Sequence, residues 1–355
     1  MVQLFGQEFT RSDLLQRIGD ISQIAGVRIM RLEDGKEEGV RLIEVRTGTG
    51  FRYTILPSRG MDVSFAEYKG IPLCWRSPTR DVSPAFYEPA GDGWHRLFYG
   101  GMVITCGLCN VGAPCVDQGE ELGRHGRISA TPAESVYADG QWEGDEYHLI
   151  VQGRMREATF WGENLTMTRR IKSRLGASWL RIEDEVENLG FRPTPLMLLY
   201  HVNIGFPLLS KECTVLIPSK KIVATDPSGN TTGFNEIHDP MPEAPSQVFY
   251  HDAAVDPDGI VIAALINERL PLGLSIRYRK DQLKNLVQWK MLGQGDYVLG
   301  IEPSNCHVEG RAAERARGTL EFIAPGEKKQ FYLELGISES KAEFREWKTK
   351  IERLA

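Results

Sequence analysis

Apolar and polar residues alternate in short runs along most of the chain, which is the pattern of β-strands that bury one face. Segments with this pattern, separated by turn residues, lie at 40–46, 51–56, 147–155, 165–173, 178–186, 196–202, 215–218, 260–265, 274–278, 286–291, 297–302, 319–323 and 330–336. No helical crossovers are evident between them. Strands in this number predict an all-β protein, built as an antiparallel sandwich or a large barrel.

Helical spacing of apolar residues occurs near the two ends of the chain. Residues 12–24 place Leu15, Ile18 and Ile21 on one face. Residues 340–354 form a second apolar stripe after Ser340, which can cap a first turn. Both segments therefore predict short terminal helices.

The organisation between the ends favours one domain. Residues 220–247 are rich in proline, asparagine, threonine and aspartate, which predicts a long loop over one face. No shift in composition marks a linker. We therefore expect a single domain over residues 1–355, with an N-terminal extension at 1–30 and a C-terminal helix at 340–355.

Composition and charge argue against several classes of function. The formal net charge is −6 and the pI is about 5.8, which does not favour binding to nucleic acid or to an anionic membrane. Six cysteines in 355 residues are too few for a disulfide scaffold. The N-terminus lacks the pattern of a secretory signal, and no apolar stretch reaches 18 residues. We expect a cytoplasmic protein, as a monomer or a homodimer, whose partner is a small molecule.

Two residues at predicted strand ends are candidates for acid–base chemistry. His201 ends the apolar run LMLLY and begins a segment that leaves the strand, where an imidazole can be held rigidly and still reach a ligand. Glu302 ends YVLGIE, and burial at such a position raises a carboxyl pKa toward neutrality. A histidine bonded at a sheet edge and a glutamate paired with lysine or arginine are the structural alternatives.

Other residues are candidates for holding a ligand. His125 lies between glycines in LGRHGRI, and Arg59 lies in PSRGMD, where it could bind hydroxyl or anionic groups or could simply pair with Asp62. Tryptophan side chains can stack on the apolar C–H face of a sugar, or they can belong to the core. The tryptophans considered for this role are Trp75, Trp94, Trp161 and Trp289.

Cofactor motifs are absent from the chain. There is neither GxGxxG after a strand nor GxxxxGK[ST], so we expect no nucleotide cofactor. Cys106 and Cys109 have CxxC spacing, but without a second pair they are read as structural thiols. A metal is not expected; the alternative is a site made by His201, Glu302 and His307.

Six segments, in their order along the chain, resemble the aldose 1-epimerases and galactose mutarotase-like proteins. They are PSRGMDVSFAEYKGIPLCW, LFYGGMVITCGLCNVG, HGRIS, LLYHVNIGFPL, GIEPSN and IAPGEKKQFYLELGIS. The resemblance implies a β-supersandwich with its site in a cleft on a concave face. It also implies that His201 is the general acid, that Glu302 is the general base, and that His125 contacts the sugar.

The activity expected from the resemblance is epimerisation of an aldose or sugar acid by ring opening and closure, without a cofactor. Further sugar-binding residues are expected at Arg59, Asn110, Arg127, Trp289 and Lys290. The cations among them favour a carboxylated or phosphorylated sugar. Two alternatives stay open: a metal-assisted isomerase or epimerase acting at a C–H centre, and a carbohydrate-binding protein without catalytic activity.

Overall fold

The computed structural model describes residues 1–226 and 229–355 and consists mainly of antiparallel strands. The first strands are β1 (Val2–Leu4), β2 (Gln7–Phe9), β3 (Gly26–Arg31), β4 (Arg41–Arg46), β5 (Phe51–Leu56), β6 (Asp62–Tyr68), β7 (Ile71–Pro72), β8 (Ile104–Leu108), β9 (Cys115–Asp117), β10 (Glu120–Leu122), β11 (Glu134–Glu143), β12 (Glu146–Ala158), β13 (Asn164–Arg174) and β14 (Trp179–Asn188). They are followed by β15 (Thr194–Pro195), β16 (Met197–Gly205), β17 (Cys213–Leu216), β18 (Ser219–Ala224), β19 (Gln247–Ala253), β20 (Ile260–Asn267), β21 (Leu272–Arg279), β22 (Asn285–Leu292), β23 (Tyr297–Ser304), β24 (Phe322–Ile323) and β25 (Lys328–Ser338). The prediction of an all-β protein is confirmed.

Three large sheets form a two-layer sandwich. One layer is an eight-stranded sheet in the order β11-β12-β13-β14-β25-β21-β20-β17. The other contains a six-stranded sheet, β18-β19-β22-β23-β16-β8, and a five-stranded sheet, β3-β4-β5-β6-β7, which a bridge between Val63 and Val103 connects. The main hydrophobic core lies between the layers, where inward-facing residues of both are fully buried. A separate apolar cluster, which includes Leu199 and Val287, lies on the other face of the six-stranded sheet.

The helices differ in part from the prediction. The C-terminal helix is confirmed as α3 (Lys341–Leu354), and the Ser340 side chain accepts a hydrogen bond from the Glu343 amide as its N-cap. The first helix is shorter than predicted: α1 covers Arg11–Leu15, and a separate 3-10 turn covers Ile21–Gln23. Gly19 and Asp20, which favour turns, lie between the two. The sequence pattern missed α2 (Arg311–Arg317) because its buried residues, Arg311 and Glu314, are charged and form no apolar stripe.

The predicted long loop is also shorter than expected. Its first residues form β18, which pairs with β19 at the edge of the six-stranded sheet. Residues 227 and 228 of the predicted loop lie outside the described residues. Residues 229–246 contain no strand or helix and pack near β22 and β23, so the prediction of a loop holds for this part. None of the described helices is both long enough and apolar enough to cross a lipid bilayer.

One buried carboxyl group links the two layers. Glu157 of β12 is 5% exposed, and its Oε1 accepts a hydrogen bond of 3.0 Å from the Leu108 amide of β8. Its Oε2 has no partner among the described residues. Burial raises the pKa of this carboxyl to about 7, although Arg127 and the Leu108 amide lower it; Glu163 raises it further. The charged form of Glu157 is therefore costly to the fold.

Replacing Glu157 with glutamine is expected to stabilise the protein at pH 8 and to change little at pH 5. The folded-state pKa of about 7 exceeds the ordinary value of 4.5, so stability falls as the pH rises through this window, by up to about 3 kcal/mol. Glutamine keeps an acceptor for Leu108 and cannot ionise. Urea unfolding at the two pH values measures the difference. An equal effect at both would contradict a titrating Glu157.

Candidate functional site

Strand register brings the two acid–base candidates together on the face of the six-stranded sheet that points away from the main core. Side chains of neighbouring strands that face the same way form rows across a sheet. One row contains His201 of β16, Glu302 of β23, Val287 of β22 and Tyr250 of β19. The next row contains Asn203, Gly300, Trp289 and Val248 on the same four strands. Because alternate residues of a strand face the same side of the sheet, both rows lie on one face and form the site.

His201 and Glu302 form a close, buried pair. The His201 Nε2 lies 3.1 Å from the Glu302 Oε1, and the two residues are 6% and 2% exposed. Neither that carboxylate oxygen nor the His201 Nδ1 has a hydrogen-bond partner among the described residues. Burial lowers the pKa of His201 to about 3 and raises the pKa of Glu302 well above its ordinary value. Burial therefore favours a neutral imidazole and a protonated carboxyl. The His201 Nδ1 and the Glu302 Oε1 make no other hydrogen bond to the described residues.

His125 lies beside the pair in a fixed tautomer. Its ring centroid is 5.9 Å from that of His201, and its backbone adopts a positive φ of 55° just before Gly126. The Nδ1 accepts a hydrogen bond of 3.2 Å from the Gly112 amide, so the proton of the neutral ring is on Nε2. Burial holds the pKa of His125 well below its usual range, and nearby His201 lowers it further. His125 is thus a neutral N–H donor.

Aromatic side chains surround these histidines. Phe98 lies 5.2 Å from His201, 4.7 Å from Trp94 and 6.0 Å from Trp289, measured between ring centroids. Trp75 lies 5.9 Å from Phe98. The sequence suggested four tryptophans for stacking, and three of them are grouped around Phe98: Trp75, Trp94 and Trp289. The fourth, Trp161, lies elsewhere on an exposed turn.

The enclosed space is a cavity of about 600 Å³, in the range typical of small-molecule sites. The cavity is lined by His201, Glu302 and His125, together with the aromatic residues Trp75, Trp94, Phe98 and Trp289. The other lining residues are Ser77, His95, Gly112, Arg124, Ser246, Val248, Val287, Met291, Asp296 and Val308. Arg124 is already paired with Asp92, at 2.5 Å. The described lining therefore holds no unpaired arginine or lysine.

Arg59 does not reach the cavity, contrary to expectation. Its buried guanidinium donates to three backbone carbonyls, of Ser129 at 2.6 Å, Val82 at 2.7 Å and Leu97 at 3.0 Å. It does not pair with Asp62 either, since that carboxylate binds Arg169 at 2.8 Å. Arg59 is fully buried, supports the segment that carries Phe98 and does not line the cavity.

The remaining predicted cations are also engaged outside the cavity. Lys290 follows Trp289 on the same strand and so faces the opposite side of the sheet, where its Nζ donates to the Gly233 carbonyl at 2.6 Å. Arg127 lies 3.6 Å from the Cys109 sulfur and 4.0 Å from Glu163, next to a different cavity. The cations expected to bind an acidic sugar are therefore not part of this site.

Asn110 acts on the site through the backbone. The buried amide donates to the carbonyls of Ala113 at 3.1 Å and Gly123 at 2.8 Å, and it accepts from the Arg311 amide at 2.8 Å. These bonds fix the loop that leads to His125. Asn110 does not line the cavity, so it is a positioning residue.

Of the three alternative metal ligands, all of them described residues, His201 and Glu302 lie together and His307 does not join them. In the described part of the chain, the group of three possible ligands is His307, Glu309 and Glu314, without His201 or Glu302. The guanidinium of Arg317 lies in that group, 3.1 Å from the His307 Nδ1 and 2.6 Å from Glu309. Arg317 therefore already pairs with both carboxylates. Cys106 and Cys109 are buried, and burial raises the pKa of both thiols, which disfavours the thiolates that metals bind.

A family model described as a domain of unknown function, DUF4432, matches residues 37–337. The chain belongs to the DUF4432 family. No curated protein matches this DUF4432 chain in sequence.

Solved structures place the DUF4432 chain among galactose mutarotase-like folds. A "putative aldose 1-epimerase" from Klebsiella pneumoniae is 25% identical, with a TM-score of 0.86 over 94% of this chain and 90% of its own. A galactose mutarotase-like protein from Clostridium acetobutylicum and a galactose 1-epimerase from Lactobacillus acidophilus are 17% and 13% identical, with TM-scores of 0.59 and 0.57. Each covers 88% of this chain and 98% of its own. The predicted β-supersandwich is confirmed.

Several residues of the DUF4432 site were missed from the sequence, and for two of them a simple signal was present. Val287 and Gly300 lie two positions from Trp289 and Glu302, so strand alternation alone places them on the same face. Phe98 lies just after a 3-10 turn, Gly93–Leu97, where no periodicity indicates its direction. Gly300 has a specific role, because a Cβ at this position would overlap the Glu302 Oε1.

Gly300→Ala is expected to lower kcat about 100-fold, because the methyl group displaces the Glu302 carboxyl from His201, and displacements of about 1 Å have effects of that size. Ligand binding should change less, because the added Cβ would approach Trp289 only at its Cβ, at 3.1 Å. Gly19→Ala is the matched control, because its added Cβ would meet no atom within 4 Å. Anomer exchange kinetics measure both variants. Full activity of Gly300→Ala would show that the carboxyl position is not critical.

Proposed function

We propose that this DUF4432 protein is a cofactor-free carbohydrate epimerase of the aldose 1-epimerase type. The observation that carries the proposal is the buried contact of 3.1 Å between His201 and Glu302 at the base of an aromatic cavity. A carboxyl and an imidazole with oppositely perturbed pKa values are a suitable acid–base pair. The names of the structural relatives agree with this activity.

The proposed reaction uses one proton held by the pair. At rest, burial favours a protonated Glu302 and a neutral His201. Transfer of that proton across the contact gives a carboxylate and an imidazolium. The carboxylate then removes the proton of the anomeric hydroxyl while His201 protonates the ring oxygen, and the C1–ring oxygen bond breaks. Rotation about C1–C2 and reversal of both transfers give the other anomer.

The surrounding residues orient the sugar. The Nε2–H of His125 is a neutral donor for a hydroxyl or for the ring oxygen as charge develops. The aromatic walls suit the C–H faces of a sugar ring. Because Arg59, Arg127 and Lys290 are engaged elsewhere, an uncharged sugar fits the site better than a phosphorylated or carboxylated one.

The test is anomer exchange of a panel of sugars and sugar acids, followed by NMR with and without a chelator. We expect accelerated exchange of uncharged aldoses that the chelator does not affect. Loss of activity with chelator, or exchange of a C–H proton with deuterium from solvent, would support the metal-assisted reaction at carbon instead. Sugar binding without any acceleration would support a binding protein and overturn the proposal.

A further inference from the structure

One wall of the cavity is made of valines. Val287 lies directly across from Glu302 in the strand pairing, on the side away from His201. Val248 pairs with Trp289 one row further along. Val308 lies next to this row, since its amide donates to the Tyr250 hydroxyl at 3.1 Å, and Tyr250 pairs with Val287. All three valines line the cavity and pack in one apolar cluster.

This wall offers no hydrogen bond to a ligand. The valine side chains have no polar atom, and the nearby Tyr250 hydroxyl is occupied with Glu309 at 2.6 Å. A sugar hydroxyl pressed against this wall would lose water without gaining a partner, which is unfavourable. His201 and Glu302 lie on β16 and β23, to one side of this wall. The cavity lining also holds polar groups on His125, Ser77, His95, Arg124, Ser246 and Asp296. The three valines therefore form an apolar stretch in a lining that is otherwise partly polar.

We infer that the substrate presents a deoxygenated edge to Val248, Val287 and Val308, as a deoxy sugar does with a CH₂ or methyl group in place of a hydroxyl-bearing carbon. This inference rests on the proposed function, because it names the sugar class of the same site. A valine wall rejects a hydroxyl only moderately, by about 100-fold. All such sugars share an apolar edge, and the comparison of 6-deoxy with 2-deoxy sugars below identifies the position of the missing hydroxyl.

The experiment compares matched pairs of sugars that differ in one hydroxyl: galactose with its 6-deoxy and 2-deoxy forms, and glucose with the same two forms. The rate of anomer exchange is divided by the spontaneous rate for each sugar. We expect kcat/KM to favour one of the deoxy forms by about 10- to 100-fold. Equal rates, or a preference for the parent sugars, would overturn the inference and leave the proposed function in place.

Val287→Thr tests the wall directly, because threonine has nearly the shape of valine and adds a hydroxyl. The preference for the deoxy form should narrow by about tenfold, mainly through faster turnover of the hydroxylated sugar. Val223→Thr is the control: Val223 is 46% exposed on β18 of the same sheet and should leave the ratio unchanged. An unchanged ratio in a folded Val287→Thr variant would contradict the role of the wall.

Binding provides a readout that does not need turnover. Trp75, Trp94 and Trp289 line the cavity, so their fluorescence should respond to a bound sugar. If none of the sugars shows accelerated exchange, the proposed function fails, while tighter binding of a deoxy form still supports the inference. Equal or weaker binding of the deoxy forms would overturn it.

Discussion

Glu302→Gln is expected to lose anomer exchange activity by about 1000-fold or more while the protein stays folded. Glutamine has the shape of glutamate but cannot accept the anomeric proton, and general acid–base catalysis typically contributes 10²- to 10⁴-fold. The aromatic walls and His125 are unchanged, so sugar binding by tryptophan fluorescence should persist. The combination of lost turnover and retained binding separates a catalytic carboxyl from a structural one.

Stability gives an independent check on the same variant. Burial raises the folded-state pKa of Glu302, so its ionisation in the unfolded state lowers stability progressively as the pH rises above the ordinary carboxyl pKa. Glutamine removes this effect. The urea midpoint of Glu302→Gln should equal that of the wild type at low pH and exceed it at pH 8. A variant that is both active and unchanged in stability would sink the assignment of Glu302.

The sequence predicts much of this site because strand positions are simple to infer. His201 and Glu302 follow recognisable apolar runs, and two adjacent strands bring them to one row. The prediction that they end their strands is wrong, because β16 continues to Gly205 and β23 to Ser304. Alternation also explains an error: Trp289 and Lys290 are neighbours in sequence, so only one of them can face the cavity. Applying the period of two from Glu302 would have found Gly300.

What the sequence does not predict depends on contacts between distant segments. Arg59 is bound by carbonyls 23 to 70 residues away, so its burial has no local signature. The hydrogen bond that fixes the tautomer of His125 comes from a loop amide 13 residues earlier. Phe98 reaches the cavity from an irregular segment. Such features are set by tertiary packing, which local periodicity does not encode.

A buried ionic network lies next to the row that contains His201 and Glu302, and its removal gives the second large expected effect, a loss of stability. Arg169 of β13 is fully buried, and its guanidinium lies 2.7 Å from Asp184 of β14 and 2.8 Å from Asp62 of β6. The Tyr200 hydroxyl donates to Asp184 at 2.6 Å, and Thr105 donates to Asp62 at 2.6 Å. One cation therefore compensates two carboxylates and connects the two layers next to His201.

Arg169→Met is expected to destabilise the protein by about 3–5 kcal/mol, because it leaves two buried carboxylates without their cation. Urea unfolding measures the loss. Arg181→Met is the matched control on the neighbouring strand: Arg181 is about one-third exposed and pairs with Glu334 at 2.7 Å, and such pairs contribute about 0–1 kcal/mol. Equal losses in the two variants would show that the buried network does not hold the layers together.

The loss caused by Arg169→Met should also depend on pH. Burial already raises the pKa of Asp62 to about 6 against the opposing effect of Arg169, so removing the cation raises it further. At pH 5 the variant can protonate Asp62 and recover part of its stability; at pH 8 protonation costs more, and the loss is largest. Adding Asp62→Asn and Asp184→Asn to Arg169→Met removes the uncompensated charges. We expect the triple variant to recover most of the lost stability, and we expect the extra pH dependence of Arg169→Met to disappear. Failure of this recovery would assign the loss to packing around Arg169 instead of charge.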